Sequence, residues 1–389
     1  MRITRRQYLQ GTAALTALGA VGMPAIIRSA AAQTALPNLA STMIWSTYDV
    51  GSTGYVEASA VADAFGKRYG TRVRLQPSGS AIGRVKPLTD GKASHAWLAN
   101  ELFFSVEGLY EYCAPEWGPQ NLRTLMGRVN SFSVVATKVS GIKEPKDLKG
   151  KRFAIARANS SVNIKVEPIL AFAGLKWEDM EIIEFPSYGA TMKALIEGKA
   201  DCCGVAPAAA TLRELEASPN GIGWVALDPA NKEGWARAQK AVPFVEPFQE
   251  TIGAGLTEAN PVWMMGYRYP MITVPADAKP EEAYAMTKAV AESYEAYKDA
   301  SPIMVRWQAS KAGTPPMDAA FHDGAIQYLK EAGIWKPEFQ TWQDASLKRH
   351  ATLQKAWKEM MATDAAKNAE LPALQTLWDA RRAEALTSL

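Results

Sequence analysis

The feature that most constrains this chain is an alternation of two hydrophobic periods. Short apolar runs at 43–47 and 73–76 alternate with stretches at 55–69 and 80–89 whose apolar residues recur at helical spacing. In the first such stretch Val61, Phe65 and Tyr69 recur every fourth position and so share one face, and Gly70 stands where a helix stop belongs. The middle of the chain repeats the scheme. Runs at 152–156, 181–185 and 201–205 read as strands, and 162–173 and 190–197 read as helices stopped by Gly174 and Gly198. Strand and helix alternating in this way build a mainly parallel sheet, so the expected class is α/β with two such units. Pro168 conflicts with the helix at 162–173. An interior proline costs about 3 kcal/mol, so this helix begins later than Val162 or is kinked.

Other regions carry different signals. A further strand reads at 132–137. The stretch 218–274 is rich in Pro, Gly and Trp, and only 224–227 and 269–274 read as regular elements there. Past Pro280 the chain is helical, with helices expected at 281–297, 318–332, 342–361 and 371–389 and a stop at Gly333. No repeat of solenoid period is present.

The first 32 residues read as an address. Arg5-Arg6 precede an aromatic and a leucine, an apolar stretch follows from 11 to 27, and Ala30-Ala31-Ala32 close the segment. This is the pattern of a twin-arginine signal peptide cleaved after Ala32, which implies a periplasmic mature protein. Arg2, Arg5, Arg6 and Arg28 all fall in this leader, which holds no acid. Without them the 43 basic residues no longer exceed the 40 acidic ones, so a basic body for nucleic-acid binding loses its support. With 48% hydrophobic and 21% charged residues, the remainder can bury a full core. Cys113, Cys202 and Cys203 are too few for a disulfide framework, and the adjacent pair reads as two small buried strand residues. His95, His322 and His350 have no ligand spacing with the cysteines, so no metal is expected.

Three polar turns sit where a strand gives way to a helix: Gly51-Ser52-Thr53-Gly54-Tyr55, Ser78-Gly79-Ser80-Ala81 and Asn159-Ser160-Ser161-Val162-Asn163. The first turn of a helix has unpaired backbone donors and a positive dipole end, which suits a carboxylate or phosphate. Ordinary N-capping by Ser, Thr or Asn explains any one turn equally well. Three in series point to a ligand, because open α/β sheets bind at the carboxyl ends of their strands. Nucleotide, zinc-protease and serine-elbow motifs are absent, and no cofactor is expected. Glu57, Asp63, Glu101 and Glu107 have the spacing of solvated or capping acids. Trp97, Phe103, Phe104, Trp263, Tyr267 and Tyr269 either flank a ligand or fill core.

These residues resemble an ordered set of motifs in the TAXI class of TRAP-transporter solute-binding proteins. The set comprises 51–55, then 77–80 leading to Leu88-Thr-Asp-Gly-Lys92, then Ser140-Gly-Ile142, Asp147-Leu-Lys-Gly-Lys151, the 159–163 turn, Gly174-Leu175 and Glu197-Gly-Lys-Ala-Asp201. The match covers 44–201 well and 269–333 loosely. The resemblance implies the type II periplasmic binding-protein fold, with two lobes joined by two crossing strands. It places the first part of lobe 1 at 39–133, lobe 2 at 134–267, and the return to lobe 1 plus C-terminal helices at 268–389. It also implies a small organic anion, of carboxylate, amino-acid or keto-acid type, handed to TRAP membrane subunits driven by an ion gradient. Carried over position by position, the ligand contacts are Gly51, Ser52, Thr53, Tyr55, Ser78, Gly79, Ser80, Ala81 and Asn100 in the first lobe. In the second they are Asn159, Ser160, Ser161 and Asn163.

The chain departs from the class at Ser94-His95, where an acid is usual, and in its second-lobe turn, which lacks the usual glycines. Both changes allow a larger or more polar ligand. The helical tail past Gly333 is long for the class and offers a pairing surface, so monomer and homodimer both stand. Two rivals are kept: an ABC-transporter receptor of the sulfonate or pyrimidine type, and, from another class, an exported enzyme with a cofactor.

Overall fold

The computed structural model describes residues 37–389 apart from Ala158, Pro243 and Ser388. The leader and its cleavage point lie outside the described residues.

The strands follow chain order as β1 (Thr42–Thr47), β2 (Arg72–Pro77), β3 (His95–Leu98), β4 (Leu122–Thr137) and β5 (Arg152–Ala156), then β6 (Glu181–Phe185), β7 (Cys202–Val205), β8 (Ile222–Trp224), β9 (Glu246–Glu250) and β10 (Val262–Pro275). They lie in the order β2-β1-β3-β10-β4-β7-β5-β6, with β8 beside β4 and β9 beside β10. At one end β1 runs parallel to β2 and β3, and at the other β5 runs parallel to β6 and β7. In the centre β4 and β10 run antiparallel to each other through both halves. The class is therefore α/β with two halves joined by two crossing strands, as expected, and the parallel character stops at the crossing pair.

Each half has its own core. In the first half Trp45, Phe65, Trp97, Leu102, Met271 and Trp307 pack together. In the second Phe132, Phe153, Leu170, Leu195, Cys202 and Cys203 do so. The helix Thr53–Tyr69 shows how the sequence signals act. Ser52 caps it by accepting from Tyr55 N, Val61 and Phe65 are buried, and Gly70 ends it with φ of 70°. That left-handed conformation favours glycine, which has no Cβ to clash.

Several expected elements differ. The helix read at 162–173 is instead a short turn Ser160–Asn163, a tighter turn Ile164–Val166 and a helix Glu167–Phe172. Pro168 thus falls in a first turn, where its missing donor leaves no bond unmade. The strand read at 132–137 begins ten residues earlier, at Leu122. The Pro-rich region holds the helix Lys232–Ala241 and the strand β9, which its composition concealed. The expected helix at 281–297 breaks at Ser293, and the one at 318–332 spans only Asp323–Glu331.

The tail is a helical pair, Pro337–Met361 and Leu371–Leu386, that folds back on its own chain. Leu353, Met360, Leu374 and Trp378 form a small third core with Cys113, which is therefore buried by the tail and not within a strand. No helix among the described residues is long and apolar enough to cross a membrane.

The surface role expected for the acids is corrected for three of the four. Asp63 is exposed and pairs with Lys67 along its helix. Glu57, Glu101 and Glu107 are fully buried, each because an arginine from a distant segment meets it. Glu57 pairs with Arg128 of β4 and accepts from the Trp307 indole, and Glu101 pairs with Arg84. Glu107 accepts from Arg349 and Arg382 of the tail. A buried acid survives when its charge is matched in this way, and helical spacing alone does not reveal the match.

Candidate functional site

The two halves meet over the ends of β1, β3, β5 and β7, and the three polar turns do converge there. Each turn first serves its own helix. Ser80 Oγ accepts from Gly83 N at 3.1 Å, and Asn159 Oδ1 accepts from Val162 N at 3.3 Å, as Ser52 does in the first turn. Capping and a place where the halves meet thus coexist in the same residues.

The turns also bridge the halves. Asn159 Nδ2 donates to Gly79 O at 3.0 Å, and Ala210 N donates to Gly51 O at 3.1 Å. Gly79 packs closely here: a Cβ there would lie 3.0 Å from Ser187 Cβ of the other half, so the neighbour would have to give by a few tenths of an ångström. Ser160 Oγ donates to Glu111 Oε1 at 2.6 Å, and burial pushes the Glu111 carboxyl up. Ser161 Oγ lies 3.0 Å from the Tyr48 hydroxyl. Thr53 Oγ1 is buried with no partner among the described residues and lines a cavity of about 170 Å3 between the halves. Ala81 is buried in the first turn of its helix, and Tyr55 N is spent on Ser52.

Two expected contacts turn elsewhere. Asn163 bonds its own Ala156 at both N and O, closing its turn. Asn100 spends its amide on Asp318, donating to Oδ2 at 2.7 Å.

The centre of the cleft is built from residues that the turn pattern did not reveal. Arg84 is fully buried and reaches Glu101 at 2.8 Å, Ser78 O at 3.1 Å and Asn159 Oδ1 at 3.3 Å. Its guanidinium also stacks 3.6 Å from the centre of the Tyr48 ring, a cation–π contact out of water. Burial works against the Arg84 charge, yet Glu101 beside it holds its pKa above the ordinary value. Tyr48, Tyr188, Tyr267, Tyr269 and Phe132 wall the site around Lys165. Tyr267 and Tyr269 stack at 6.1 Å, and the Tyr48 ring meets Tyr269 edge-on at 5.2 Å.

Lys165 stands at the centre of this cage. Its ammonium donates to Ser161 O and to Ser161 Oγ and faces the rings of Phe132 at 5.3 Å and Tyr267 at 4.9 Å. No carboxylate pairs with it among the described residues. Burial pushes its pKa down to about 7, while Glu101 and Asp318 draw it up. The space enclosed is about 10 Å3, so the halves touch across the cleft.

A sequence signal for Arg84 and Lys165 did exist. Each carries its charge on an apolar stripe, Arg84 between Ala81 and Leu88 and Lys165 between Val162 and Ile169. Of the aromatics named from sequence, Tyr267 and Tyr269 face the site. Trp97, Phe103 and Phe104 pack in the first half's core, and Trp263 is partly exposed.

No curated protein matches the sequence. Among solved structures, the chain is similar to a protein of Bordetella bronchiseptica RB50, with 20% identity, 77% of this chain and 91% of that one covered, and a TM-score of 0.46. It is also similar to the periplasmic aliphatic sulphonate binding protein SsuA of Escherichia coli, with 14% identity, 75% and 83% covered, and a TM-score of 0.42. A third is a binding protein component of an ABC phosphonate transporter from Pseudomonas aeruginosa, with 10% identity, 89% and 97% covered, and a TM-score of 0.43. The model of one family matches residues 47–333, which carry both halves and the crossing strands, and the chain belongs to that family, the NMT1-like family.

Proposed function

We propose that the protein is a periplasmic solute-binding receptor that closes its two halves on a small organic anion and hands it to a membrane transporter. The observation that carries this reading is Lys165, a buried ammonium without a carboxylate partner among the described residues, walled by aromatic rings where the halves meet. A buried charge left without a counter-charge is costly, and a carboxylate or sulfonate entering between the rings would supply one. Tyr269 and Tyr267 accept from Gly54 N and Asn130 Nδ2, which leaves each hydroxyl proton to donate to the same anion. The lobes divide within β4 and β10, and the reading assigns no chemical step.

For the membrane partner, the ABC-type receptor set second from sequence is placed first. ABC transporters are named for solved structures of similar fold, whereas the ion-gradient partner rests on the ordered motifs of 44–201 alone. Reconstitution with each type of membrane subunit from the same genome, with uptake driven by ATP or by an ion gradient, distinguishes the two.

The test of the receptor reading is calorimetry of the purified protein against organic acids and sulfonates. One class binds, and Lys165→Met weakens it by about 10- to 150-fold, the worth of a hydrogen bond to a charged group. The same variant leaves the free protein as stable or more so, because it removes an uncompensated charge. Full affinity in Lys165→Met would sink the reading.

A further inference from the structure

A cavity of about 420 Å3 opens on the flank of the crossing strands, a volume typical of small-molecule sites. Both halves contribute to it: Val245 belongs to the core of the second, and Met317 to that of the first. Phe244 and Val129 add apolar wall. Three charged side chains line this space: Arg268 and Asp318, which do not meet, and the exposed Glu246, whose charge acts on Arg268 more strongly than that of Asp318. Arg268 makes only two long contacts, from Nη1 to Gly127 O and to Lys311 O at 3.5 Å each, and has no ion pair among the described residues. Asp318 is buried, and one of its oxygens accepts from Asn100 Nδ2 while the other has no partner among the described residues. Behind it, Asn100 Oδ1 is buried and unpartnered. Burial pushes Asp318 up to about 7, against the pull of Asn100 and Lys165, and pushes Arg268 downward, against the pull of Glu246.

A guanidinium and a carboxylate held apart on the walls of one cavity are complementary to a molecule carrying the reverse pair. We infer that this cavity is a second binding site, which takes a small zwitterion of the amino-acid type, its carboxylate on Arg268 and its ammonium on Asp318. The planar guanidinium fork suits a carboxylate, and the apolar wall of Val129, Phe244 and Met317 receives a short hydrocarbon side chain. Because the walls come from both halves, an occupant also favours the closed arrangement.

This cavity shares the Tyr267 wall with the Lys165 cleft, and the experiment separates the two readings. The purified protein is titrated calorimetrically with L-alanine and L-leucine, and with propionate and propylamine, which each carry one charge only. Binding of the amino acids, with each one-charge analogue at least tenfold weaker, is expected. Arg268→Gln and Asp318→Asn each weaken amino-acid binding at least tenfold, while Lys165→Met, which removes a charge acting on Asp318 from outside the cavity, changes it by less than either. Circular dichroism and thermal melting establish that the variants are folded. Should Arg268→Gln fail to fold, Arg268→Lys serves in its place and weakens binding through loss of the two-point contact. Absence of heat with either amino acid overturns the inference. So does amino-acid binding that Lys165→Met abolishes and Arg268→Gln spares, which would put the zwitterion in the cleft.

Discussion

Arg84→Met is the most informative single perturbation of the interior. Both members of the Arg84–Glu101 pair are wholly out of water and 2.8 Å apart. Removing the arginine leaves Glu101 buried with Tyr48 as its remaining close donor, since the Tyr48 hydroxyl lies 2.9 Å from Oε2. Stripping one partner from a buried pair costs about 3–5 kcal/mol, because the other charge stays desolvated. In a chain with roughly 350 ordered residues, the unfolding entropy is about 0.7 kcal/mol/K, so the loss is about 4–7 °C in Tm. The double variant Arg84→Met/Glu101→Met removes both charges and recovers most of this, because matched apolar replacement of a pair is often neutral.

A pH series adds a sign to the same test. In the native protein burial raises the Glu101 carboxyl but Arg84 lowers it further, leaving its pKa below the ordinary value. The stability it contributes is present above the ordinary carboxylate pKa and lost as pH falls through the lowered one. In Arg84→Met burial is opposed only by Lys165 and Ser161, so Glu101 takes up a proton more readily and the deficit shrinks as pH falls. Thermal melts of the native, single and double variants between pH 4 and 8 decide the matter. A double variant no more stable than the single, or a single variant within about 1 °C of native, would refute the reasoning.

Three further outcomes are expected. Glu107→Ala frees Arg349 and Arg382 from the carboxylate that anchors the tail, so limited proteolysis cuts residues 337–389 faster than in the native protein; an unchanged digestion pattern would mean the tail's apolar core holds it alone. Gly54→Ala puts a Cβ 2.5 Å from the Tyr269 hydroxyl, and overpacking of this kind costs about 1–3 kcal/mol, read as a lower Tm. His95 and His350 are held neutral by burial, each down to about 4, so stability falls as pH drops from 6.5 toward 4, where the unfolded chain takes up protons first. His95→Gln flattens that slope, and an unaltered melting profile would show that His95 contributes nothing to it.

The elements whose signals are local were readable in advance. Ser52, Ser80 and Gly70 mark helix ends by hydrogen bonding and backbone conformation that depend on a few neighbours, and the sequence pattern located them. The interior ion pairs were not readable, because Glu57 meets Arg128 and Glu107 meets Arg382 only after the chain has folded over large separations. Composition misled at 232–250, where two prolines and Trp235 hide a helix and a strand fixed by packing against the second half. The polar turns meet at one edge of the sheet, as their place between strand and helix implied, but the charged and aromatic cluster between them came from residues that look like core.

The crossing strands also set an order of assembly. The core of the second half is drawn almost wholly from one unbroken stretch, 132–269, with only Tyr48 and Ala99 added from before it. The first half cannot close in the same way. Its sheet waits for β10 to insert between β3 and β4, and its core includes Trp307, Phe321 and Trp335. A chain emerging from its N-terminus therefore makes the first half's opening strands first and completes them last. Until then the apolar faces of Trp45, Phe65 and Trp97 stand open beside a neighbour that is already folded, which makes them the surface most in need of protection during synthesis.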